Sequence, residues 1–210
     1  MKLIEPSFEI LNVSGDLSTI EQAARTCYKS EDKIKEGSAE KLVGVLVDRG
    51  HHAMLEFVDV TVKFITDRGI ANEIVRHRIA SYAQESTRYV NYNKKEMEFI
   101  APLWVKESDS VNVAHFKQIC KQAEMNYNSF LRDGLHPQDA RAILPLCLKT
   151  ELVMKTNLRS WRNFFELRTS PAAHPEMRRI AIPLCKEFQK KIPIVFDDFV
   201  FGNCVKNLIL

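Results

Sequence analysis

The chain has 210 residues, 45% of them hydrophobic and 27% charged, and its formal net charge is +3. This composition is typical of one soluble globular domain and excludes collagen, coiled coils and disordered chains. The net charge is too small for a protein that grips long nucleic acid non-specifically, and it suits a protein with small anionic ligands. No apolar stretch approaches the roughly 20 residues of a membrane span, so we expect no membrane partner.

The first residues and the cysteines favour a cytoplasmic protein. Glu5 follows the start too closely for a secretory signal peptide. The five cysteines are scattered, odd in number and without a CxxC pair, which predicts reduced thiols and no metal site. They are Cys27, Cys120, Cys147, Cys185 and Cys204.

Capping residues and hydrophobic periodicity divide the first half of the chain into strands and helices. In chain order we predict a strand over residues 8–14, a helix from a capping box at residues 18–21 to about residue 30, a helix from Ser38 to Gly50, a strand over residues 58–65 and a helix from Asp67 to about residue 80. The alternation in the second strand is the clearest of all, with Val58, Val60, Val62 and Phe64 on one side.

The second half begins with loop and strand between Tyr89 and Ile100. We then predict a long helix over residues 109–132, a short helix from Pro137, a strand over residues 146–156 with Leu146, Leu148, Leu152 and Met154 on one side, a helix from Asn157 to about Arg168 and a last helix from Pro175 to about Lys191. The strands do not alternate regularly with helices. This pattern predicts an α+β fold with a largely antiparallel sheet flanked by helices, in a single domain over residues 1–210.

Several common nucleotide and hydrolase motifs are missing from the sequence. It contains no GxGxxG, no GxxxxGK[ST], no HExxH and no GxSxG. A bound nucleotide must therefore be held by side chains and irregular loops.

Residues 76–88 carry a dense group of basic and hydroxyl side chains. If the helix continues through them, Arg76 and Arg78 point about 200° apart and face two partners or one large ligand. If the chain is extended further on, Ser86 and Arg88 share a face, and a hydroxyl beside a guanidinium binds phosphate or carbonyl oxygens well. The simpler alternative is a solvated basic helix end that is favoured by the helix dipole.

Residues 76–88 read RHRIASYAQESTR, which resembles the RHRxxSxxxxSxR signature of the flavin-dependent thymidylate synthases. Other segments resemble that family in the same order along the chain. Residues 25–28 match an early segment, and residues 50–56 match its Gly-His-x-Ser/Thr-x-x-Glu segment. Residues 141–145 resemble its Ala-Arg-x-x-Leu-Pro segment, and residues 157–168 resemble its Asn-x-Arg-Ser, Asn and Leu-Arg run. The resemblance spans about residues 20–190.

The resemblance implies an activity. The family makes dTMP from dUMP without a covalent enzyme nucleophile. FAD carries the electrons, NADPH reduces the flavin, and 5,10-methylenetetrahydrofolate supplies the one-carbon unit. The resemblance further implies a homotetramer of α+β subunits with active sites at the subunit interfaces.

The resemblance also implies roles for individual residues. The FAD-binding positions are Ala53, Arg76, His77, Arg78, Gln84, Asn157, Leu158, Arg159 and Asn163. The dUMP-binding positions are Glu73, Ile74, Val75, Arg76, Gln84, Glu85, Ser86, Thr87, Arg88, Arg141 and Arg168. His51 and Glu56 match positions near the flavin and the folate. Arg168 matches the catalytic arginine at the uracil ring, which favours the N3-ionised form and so makes C5 more nucleophilic.

Helical spacing puts Arg168 on an apolar stripe with Leu158, Trp161 and Phe165. Two readings remain open from geometry. Arg168 either reaches solvent or an internal carboxylate from the helix end, or it faces a ligand pocket floored by apolar side chains.

The chain departs from the family pattern at several positions. Ala53 stands where the family has Ser or Thr, which leaves only backbone contacts to FAD there, and Phe57 stands where His is frequent. Some members carry a flavin-contacting His where this chain has Ala172, and it stays open whether the nearby His174 replaces it. His52 has no family match and is interpreted as a plain loop histidine.

Two other functions remain as alternatives. A flavoenzyme acting on a different pyrimidine nucleotide would keep the phosphate-binding residues and alter the folate cleft. A small nucleic-acid-binding module would use Arg76, Arg78, Arg88, Arg159 and Arg162 as phosphate contacts. The mild net charge weighs against the second alternative, and we expect no nucleic acid partner.

Overall fold

The computed structural model describes residues 1–94, 96–107 and 110–201, so Cys204 lies outside the described residues. The chain divides into two compact units. Unit 1 comprises residues 1–7, 64–76 and 82–153, and unit 2 comprises residues 8–63, 77–81 and the chain from residue 154 onward.

The strands confirm the α+β class. They are β1 (Lys2–Ile4), β2 (Ser7–Ser14), β3 (Asp59–Asp67), β4 (Ser81–Gln84), β5 (Glu98–Ile100) and β6 (Lys149–Asn157). An antiparallel sheet has the order β2-β3-β6-β4, and β1 pairs with β5 in parallel. The alternation predicted for the central strand holds, since Val58, Val60, Val62 and Phe64 are all fully buried.

The helices follow the predicted order, except that α4 was not predicted. They are α1 (Leu17–Tyr28), α2 (Ser38–Asp48), α3 (Arg68–Ile74), α4 (Leu103–Glu107), α5 (Val111–Arg132), α6 (Pro137–Ala140), α7 (Leu158–Arg168) and α8 (Pro175–Lys191). Short 3₁₀ turns lie at Glu31–Lys33, His52–Phe57, Tyr92–Lys94 and Arg141–Ile143. Among the described helices, none combines the length and the apolar character that a membrane span requires.

An aromatic cluster forms the centre of unit 2. Trp161 of α7 stacks on Phe165 with ring centroids 5.7 Å apart, and Phe188 of α8 contacts both rings edge-on or tilted. The Trp161 indole N–H donates to the backbone oxygen of Val60 over 3.1 Å, so its polar atom is satisfied inside the core. Truncation of one of these rings to Ala costs about 3–5 kcal/mol. The cluster therefore fixes α7, which carries several predicted site residues.

Unit 1 has its own core beneath α5. Met97, Phe99, Cys120, Tyr127 and Leu148 are each no more than 1% exposed, and they pack together as one cluster. This core joins α5 to β5 and to the residues just before β6. It supports the loop that carries Arg141.

The end of α3 corrects the prediction for residues 68–80. Asp67 caps the helix as expected, because its carboxylate accepts the Ile70 N–H over 2.8 Å. The helix nevertheless ends at Ile74, where the Tyr82 hydroxyl donates to the Ile74 carbonyl over 3.0 Å and satisfies one of the last helical acceptors. Residues 76–78 are therefore not helical, and the argument that a continuing helix makes Arg76 and Arg78 diverge does not apply.

The capping box of α1 lies two residues earlier than predicted. Asp16 caps the helix, because its carboxylate accepts the Thr19 N–H over 3.0 Å while the Thr19 hydroxyl accepts the Asp16 N–H. Glu21, which was expected to complete the box, is instead buried between Arg25 at 2.9 Å and the Ser38 hydroxyl at 2.9 Å. Glu21 thus bonds to Ser38, 17 residues away, although the local sequence pattern predicted that it would cap the start of α1.

The later elements agree closely with their predicted bounds. The Asn157 side-chain oxygen accepts the Ser160 N–H over 2.9 Å and starts α7 as expected. In β6, Leu152 and Met154 are fully buried, whereas Leu146 lies before the strand and is 67% exposed. The prediction that Leu146 shares one side of this strand with Leu148, Leu152 and Met154 was therefore wrong.

Candidate active site

The predicted site residues form two groups, one in each unit. Unit 1 holds Glu73, Ile74, Val75, Arg76, Gln84, Glu85, Ser86, Thr87, Arg88 and Arg141. Unit 2 holds His51, Ala53, Glu56, His77, Arg78, Asn157, Leu158, Arg159, Asn163 and Arg168.

A tight turn after β4 gathers hydroxyl groups and guanidinium groups in unit 1. The Ser86 carbonyl accepts the Val90 N–H over 2.9 Å, and the Ser86 hydroxyl accepts the Arg88 N–H over 3.3 Å. Thr87 is buried, and its hydroxyl accepts a hydrogen bond from the Arg141 guanidinium over 3.3 Å. The fold thus brings Arg141 to this turn from a point 54 residues away in the sequence.

The remaining polar side chains of this group have local partners. Arg88 is exposed, donates from Nε to Gln138 over 3.3 Å and lies 5.2 Å from the centre of the Tyr89 ring. The Gln84 amide donates to the Thr150 hydroxyl over 3.4 Å. Gln138 and Thr150 were not predicted as site neighbours, because they are distant in sequence and carry no motif.

Glu85 points into a cluster of side chains along β6. Its carboxylate accepts the Tyr92 hydroxyl over 2.9 Å and the Lys149 ammonium over 3.3 Å. Lys149 also donates to Glu151 over 2.8 Å. Burial opposes the charge on Lys149, but the Glu151 hydrogen bond and the Glu85 carboxylate outweigh it and raise the pKa of that ammonium. We call Glu85, Tyr92, Lys149 and Glu151 the Glu85 cluster.

The predicted site positions at the end of α3 differ in their exposure. Ile74 is fully buried, so only its backbone remains for a ligand, and its carbonyl already accepts the Tyr82 hydroxyl. Glu73 and Val75 are half-buried, and Arg76 is exposed.

In unit 2, the imidazole of His77 accepts a hydrogen bond from Arg168. The distance from the Arg168 Nε to the His77 Nε2 is 2.7 Å. His77 is only 7% exposed, and its ring meets the edge of Phe164 at 4.9 Å. Burial first, and the Arg168 charge second, lower the pKa of His77 to about 4. The imidazole is therefore neutral near pH 7, with its proton on Nδ1.

The hydrogen bond to His77 determines the orientation of Arg168 on the apolar stripe of α7. Leu158, Trp161 and Phe165 are fully buried as predicted, and Arg168 is half-buried at the end of α7. A neutral acceptor in the interior, rather than a carboxylate, receives its Nε–H. This hydrogen bond fixes the orientation of the Arg168 guanidinium.

Glu56 and Arg159 form an exposed ion pair. Their side chains are 2.7 Å apart and 46% and 55% exposed, respectively. Such pairs contribute only about 0–1 kcal/mol, so a ligand can displace this one at little cost. Two predicted residues that are far apart in sequence are thereby brought together.

A cavity of about 490 Å³ lies beside α7 in unit 2. Its lining consists of His52, Arg159, Arg162, Asn163, Glu166, Asp198 and Phe199. Arg162 is held by Asp198 at 2.5 and 2.8 Å and by the backbone oxygen of Val195. Among these lining residues, only Arg159 and Asn163 were predicted as FAD-binding residues. Arg162 follows Arg159 by three residues and so lies on the same side of the helix, and this spacing could have identified it.

The donors in this cavity suit an anionic nucleotide cofactor. His52 Nε2 and Arg162 Nε are buried and have no hydrogen-bond partner among the described residues. Arg159, Arg162 and Asn163 add further N–H groups to the same lining. Such a set matches the pyrophosphate and carbonyl oxygens of a flavin nucleotide. His52, which the sequence indicated as a plain loop histidine, thus contributes to the lining of this cavity.

The other predicted positions have simpler surroundings. His51, Ala53 and Arg78 are exposed. Asn157 uses its side-chain oxygen to cap α7, and Leu158 is fully buried, so its backbone alone remains for a ligand.

His174 and Ala172 lie just before α8. The His174 Nδ1 accepts the Glu176 N–H over 3.2 Å and so caps that helix. Ala172 is exposed. Within the described ranges, no group of three or more His, Cys, Asp or Glu side chains is arranged to hold a metal ion.

Curated relatives align with most of this chain. The family model described as thymidylate synthase complementing protein matches residues 9–194. The flavin-dependent thymidylate synthase of Pyrococcus furiosus is 32% identical over 184 residues, which cover 83% of this chain and 75% of the relative. That of Mycolicibacterium gilvum is 33% identical over 207 residues, which cover 90% and 81%.

The fold matches a solved structure as well. The UMP/dUMP methylase PolB from Streptomyces cacaoi, bound with 5-Br dUMP, has a TM-score of 0.79 at 22% identity, over 93% of this chain and 95% of that chain. At that identity the likeness concerns the fold alone. With the family model matched over residues 9–194 and relatives at 32% and 33% identity, the chain belongs to the family of the flavin-dependent thymidylate synthases.

Proposed function

We propose that this protein methylates dUMP to dTMP, with FAD as the flavin, NADPH as its reductant and 5,10-methylenetetrahydrofolate as the one-carbon donor. The observation that carries the proposal is the guanidinium of Arg168, held over 2.7 Å by a neutral, buried His77 within the family-matched residues. A fixed cation in a water-poor site is what a reaction through an ionised uracil needs.

The turn after β4 binds the phosphate of dUMP in this proposal. Ser86 and Thr87 offer hydroxyl groups, and Arg88 and Arg141 offer guanidinium groups at the same turn. Charge-assisted hydrogen bonds from such groups suit a dianion. Ser86 is a binding residue here and not a nucleophile.

Arg168 acts on the uracil ring. Its positive charge stabilises the N3-ionised form, which raises the electron density at C5, the atom that receives the one-carbon unit. His77 contributes by orientation, because it receives the Arg168 N–H without carrying a competing charge near pH 7. A lysine would keep the charge and lose the planar fork.

The cavity beside α7 binds part of FAD. Arg159, Asn163 and the buried Nε2 of His52 hold its polar groups, and the Glu56–Arg159 pair opens to admit them. When bound, FAD supplies the hydride that completes the methyl group. The remaining predicted FAD and dUMP positions in the two units belong to the same proposal, except that Glu85 supports the turn through its hydrogen bonds to β6 instead of binding dUMP with its carboxylate.

The assembly and location belong to the proposal too. Large apolar side chains such as Tyr28 and Ile79 are more than 80% exposed, which supports burial between subunits. We propose a cytoplasmic homotetramer of single-domain subunits with shared active sites.

Tritium release from [5-³H]dUMP tests the function. The flavin-loaded protein, with absorbance near about 450 nm, is incubated with NADPH, with or without methylenetetrahydrofolate. Release together with dTMP formation only when the folate is present supports the proposal. Release without dTMP formation would indicate a different pyrimidine flavoenzyme. A parallel arm with [5-³H]UMP tests the ribonucleotide, since the protein of similar fold is named a UMP/dUMP methylase.

A further inference from the structure

The residue before the phosphate-binding turn is anchored to β6 through both its backbone and its side chain. The Glu85 N–H donates to the Glu151 carbonyl over 2.8 Å, and the Glu151 N–H donates back to the Glu85 carboxylate over 3.2 Å. Tyr92 and Lys149 complete the carboxylate's contacts at 2.9 and 3.3 Å. The Glu85 carboxylate thus has three hydrogen-bond partners within its own unit.

Lys149 is the cation of this cluster. It lies between two carboxylates, 3.3 Å from Glu85 and 2.8 Å from Glu151. The side chains of Lys149 and Glu85 are only 15% and 14% exposed, so solvent screens their charges poorly. In the Glu85 cluster, the two acids and one base give one net negative charge beside a turn that is proposed to bind a dianion.

Removal of the Lys149 charge would leave two carboxylates next to that turn. Their repulsion would act directly on a phosphate, and Glu85 would lose the ion pair that holds it to β6. An uncharged nucleoside would not experience the repulsion. This difference separates an electrostatic role for Lys149 from a general role in folding.

We propose that Lys149 is a positioning residue for the phosphate of dUMP: it offsets part of the negative charge of Glu85 and Glu151 and fixes the residue from which the Ser86–Arg88 turn begins. The inference rests on the proposed function, because it assumes that dUMP binds at this turn. It makes Lys149 and Tyr92 part of the nucleotide site although neither is expected to touch the nucleotide.

Binding of dUMP and of deoxyuridine to the flavin-loaded protein tests the proposal by calorimetry. In Lys149→Met, the dissociation constant for dUMP is expected to rise by roughly tenfold or more, with deoxyuridine unchanged. Lys149→Arg keeps the charge and is expected to restore dUMP binding. In steady state the KM for dUMP rises in Lys149→Met, while kcat at saturating dUMP is retained.

Two further variants keep the test decisive if Lys149→Met folds poorly. In Glu85→Gln, Lys149 keeps its charge and one carboxylate is lost, so dUMP binding is expected to be equal or tighter. Lys155→Met is the matched control, since Lys155 lies on the same strand and pairs with Asp59 in unit 2. It is expected to change neither ligand.

Several outcomes would overturn the inference. Wild-type dUMP affinity in Lys149→Met, or equal loss of dUMP and deoxyuridine, removes the electrostatic role. Much weaker dUMP binding in Glu85→Gln, with deoxyuridine unchanged, contradicts it as well. If the wild-type protein binds no dUMP, the proposed function itself fails. This result can be distinguished from a failure of the Lys149 proposal, because it is measured without any variant.

Discussion

The Nε of Arg168 donates to the Nε2 of His77 over 2.7 Å, and the acceptor works only while the imidazole is neutral. Protonation would turn Nε2 into a donor and place a second positive charge against the guanidinium. The orientation of Arg168 is therefore tied to the protonation state of a buried histidine.

The first prediction concerns the pH dependence of stability. The pKa of His77 is about 4 in the folded chain against 6.5 for the free side chain, so the unfolded state binds more protons between these two values. The free energy of unfolding should keep its full His77 contribution above pH 6.5 and fall by up to about 3 kcal/mol on acidification to pH 4. Urea unfolding at a series of pH values measures this.

His77→Gln provides the comparison, because a glutamine oxygen can accept the Arg168 N–H and does not titrate. Its unfolding free energy should depend less steeply on pH between about 4 and 6.5. His115→Gln, at an exposed position on α5, is the matched control and should keep the wild-type slope. Equal slopes in wild type and His77→Gln would contradict the assignment.

The second prediction concerns Arg168 in catalysis. Arg168→Ala and Arg168→Lys should each lower methyl transfer by roughly 100-fold or more, since one loses the charge and the other the planar fork. Oxidation of NADPH by the flavin should largely survive, because this step does not involve the uracil. Product formation and NADPH absorbance are measured side by side. Wild-type methyl transfer in Arg168→Ala would contradict the catalytic role of Arg168.

The third prediction concerns flavin retention. Arg159→Ala should weaken FAD binding by roughly tenfold, through the loss of a charge-assisted hydrogen bond in the cavity beside α7. Arg49→Ala, which removes an exposed arginine of the same unit outside that cavity, serves as the control. Fluorescence titration with FAD compares the two. Equal affinities would place the flavin elsewhere.

The fourth prediction concerns Ser86. A serine attacks only when a base activates it, whereas the Ser86 hydroxyl accepts the backbone N–H of Arg88 over 3.3 Å. Ser86→Ala should therefore retain measurable turnover and need more dUMP for saturation. Mass spectrometry of quenched wild-type reactions should find no nucleotide on this residue, and a trapped adduct would refute the assignment.

The fifth prediction concerns thiol reactivity. Cys27 is exposed, whereas Cys185 is fully buried, and burial raises the pKa of its thiol to about 12. Brief alkylation of the native protein near neutral pH should modify Cys27 and spare Cys185, as peptide mass spectrometry can report. Early modification of Cys185 in the folded protein would contradict the burial described for α8.

The sequence predicted best where local chemistry decides the structure. Asn157 and Pro175 start α7 and α8 as expected, because a side-chain cap and a fixed proline dihedral act within a few residues. The end of α3 was missed because Tyr82, eight residues beyond Ile74, supplies the terminal hydrogen bond.

Many contacts in the candidate site join residues that are far apart in the sequence, so no short sequence segment contains both partners. Glu85 and Lys149 are 64 residues apart, and Arg168 and His77 are 91 apart. Motifs identified Arg168, Arg159 and the turn after β4, but they could not indicate which neighbours hold them. These neighbours are set by strand pairing and helix packing.

The early end of α3 also changes how the Arg-His-Arg segment should tolerate mutation. His77 is buried, whereas its neighbours Arg76 and Arg78 are exposed. Mutations at these adjacent positions should therefore have different effects. In a library of all substitutions at these three positions, variants at His77 should be lost because they are thermally less stable. Changes at the two arginines should leave melting temperature intact and deplete variants only when growth depends on the enzyme. A three-residue signature would then separate into one position that selection maintains for the fold and for the orientation of Arg168, and two that it maintains for ligands.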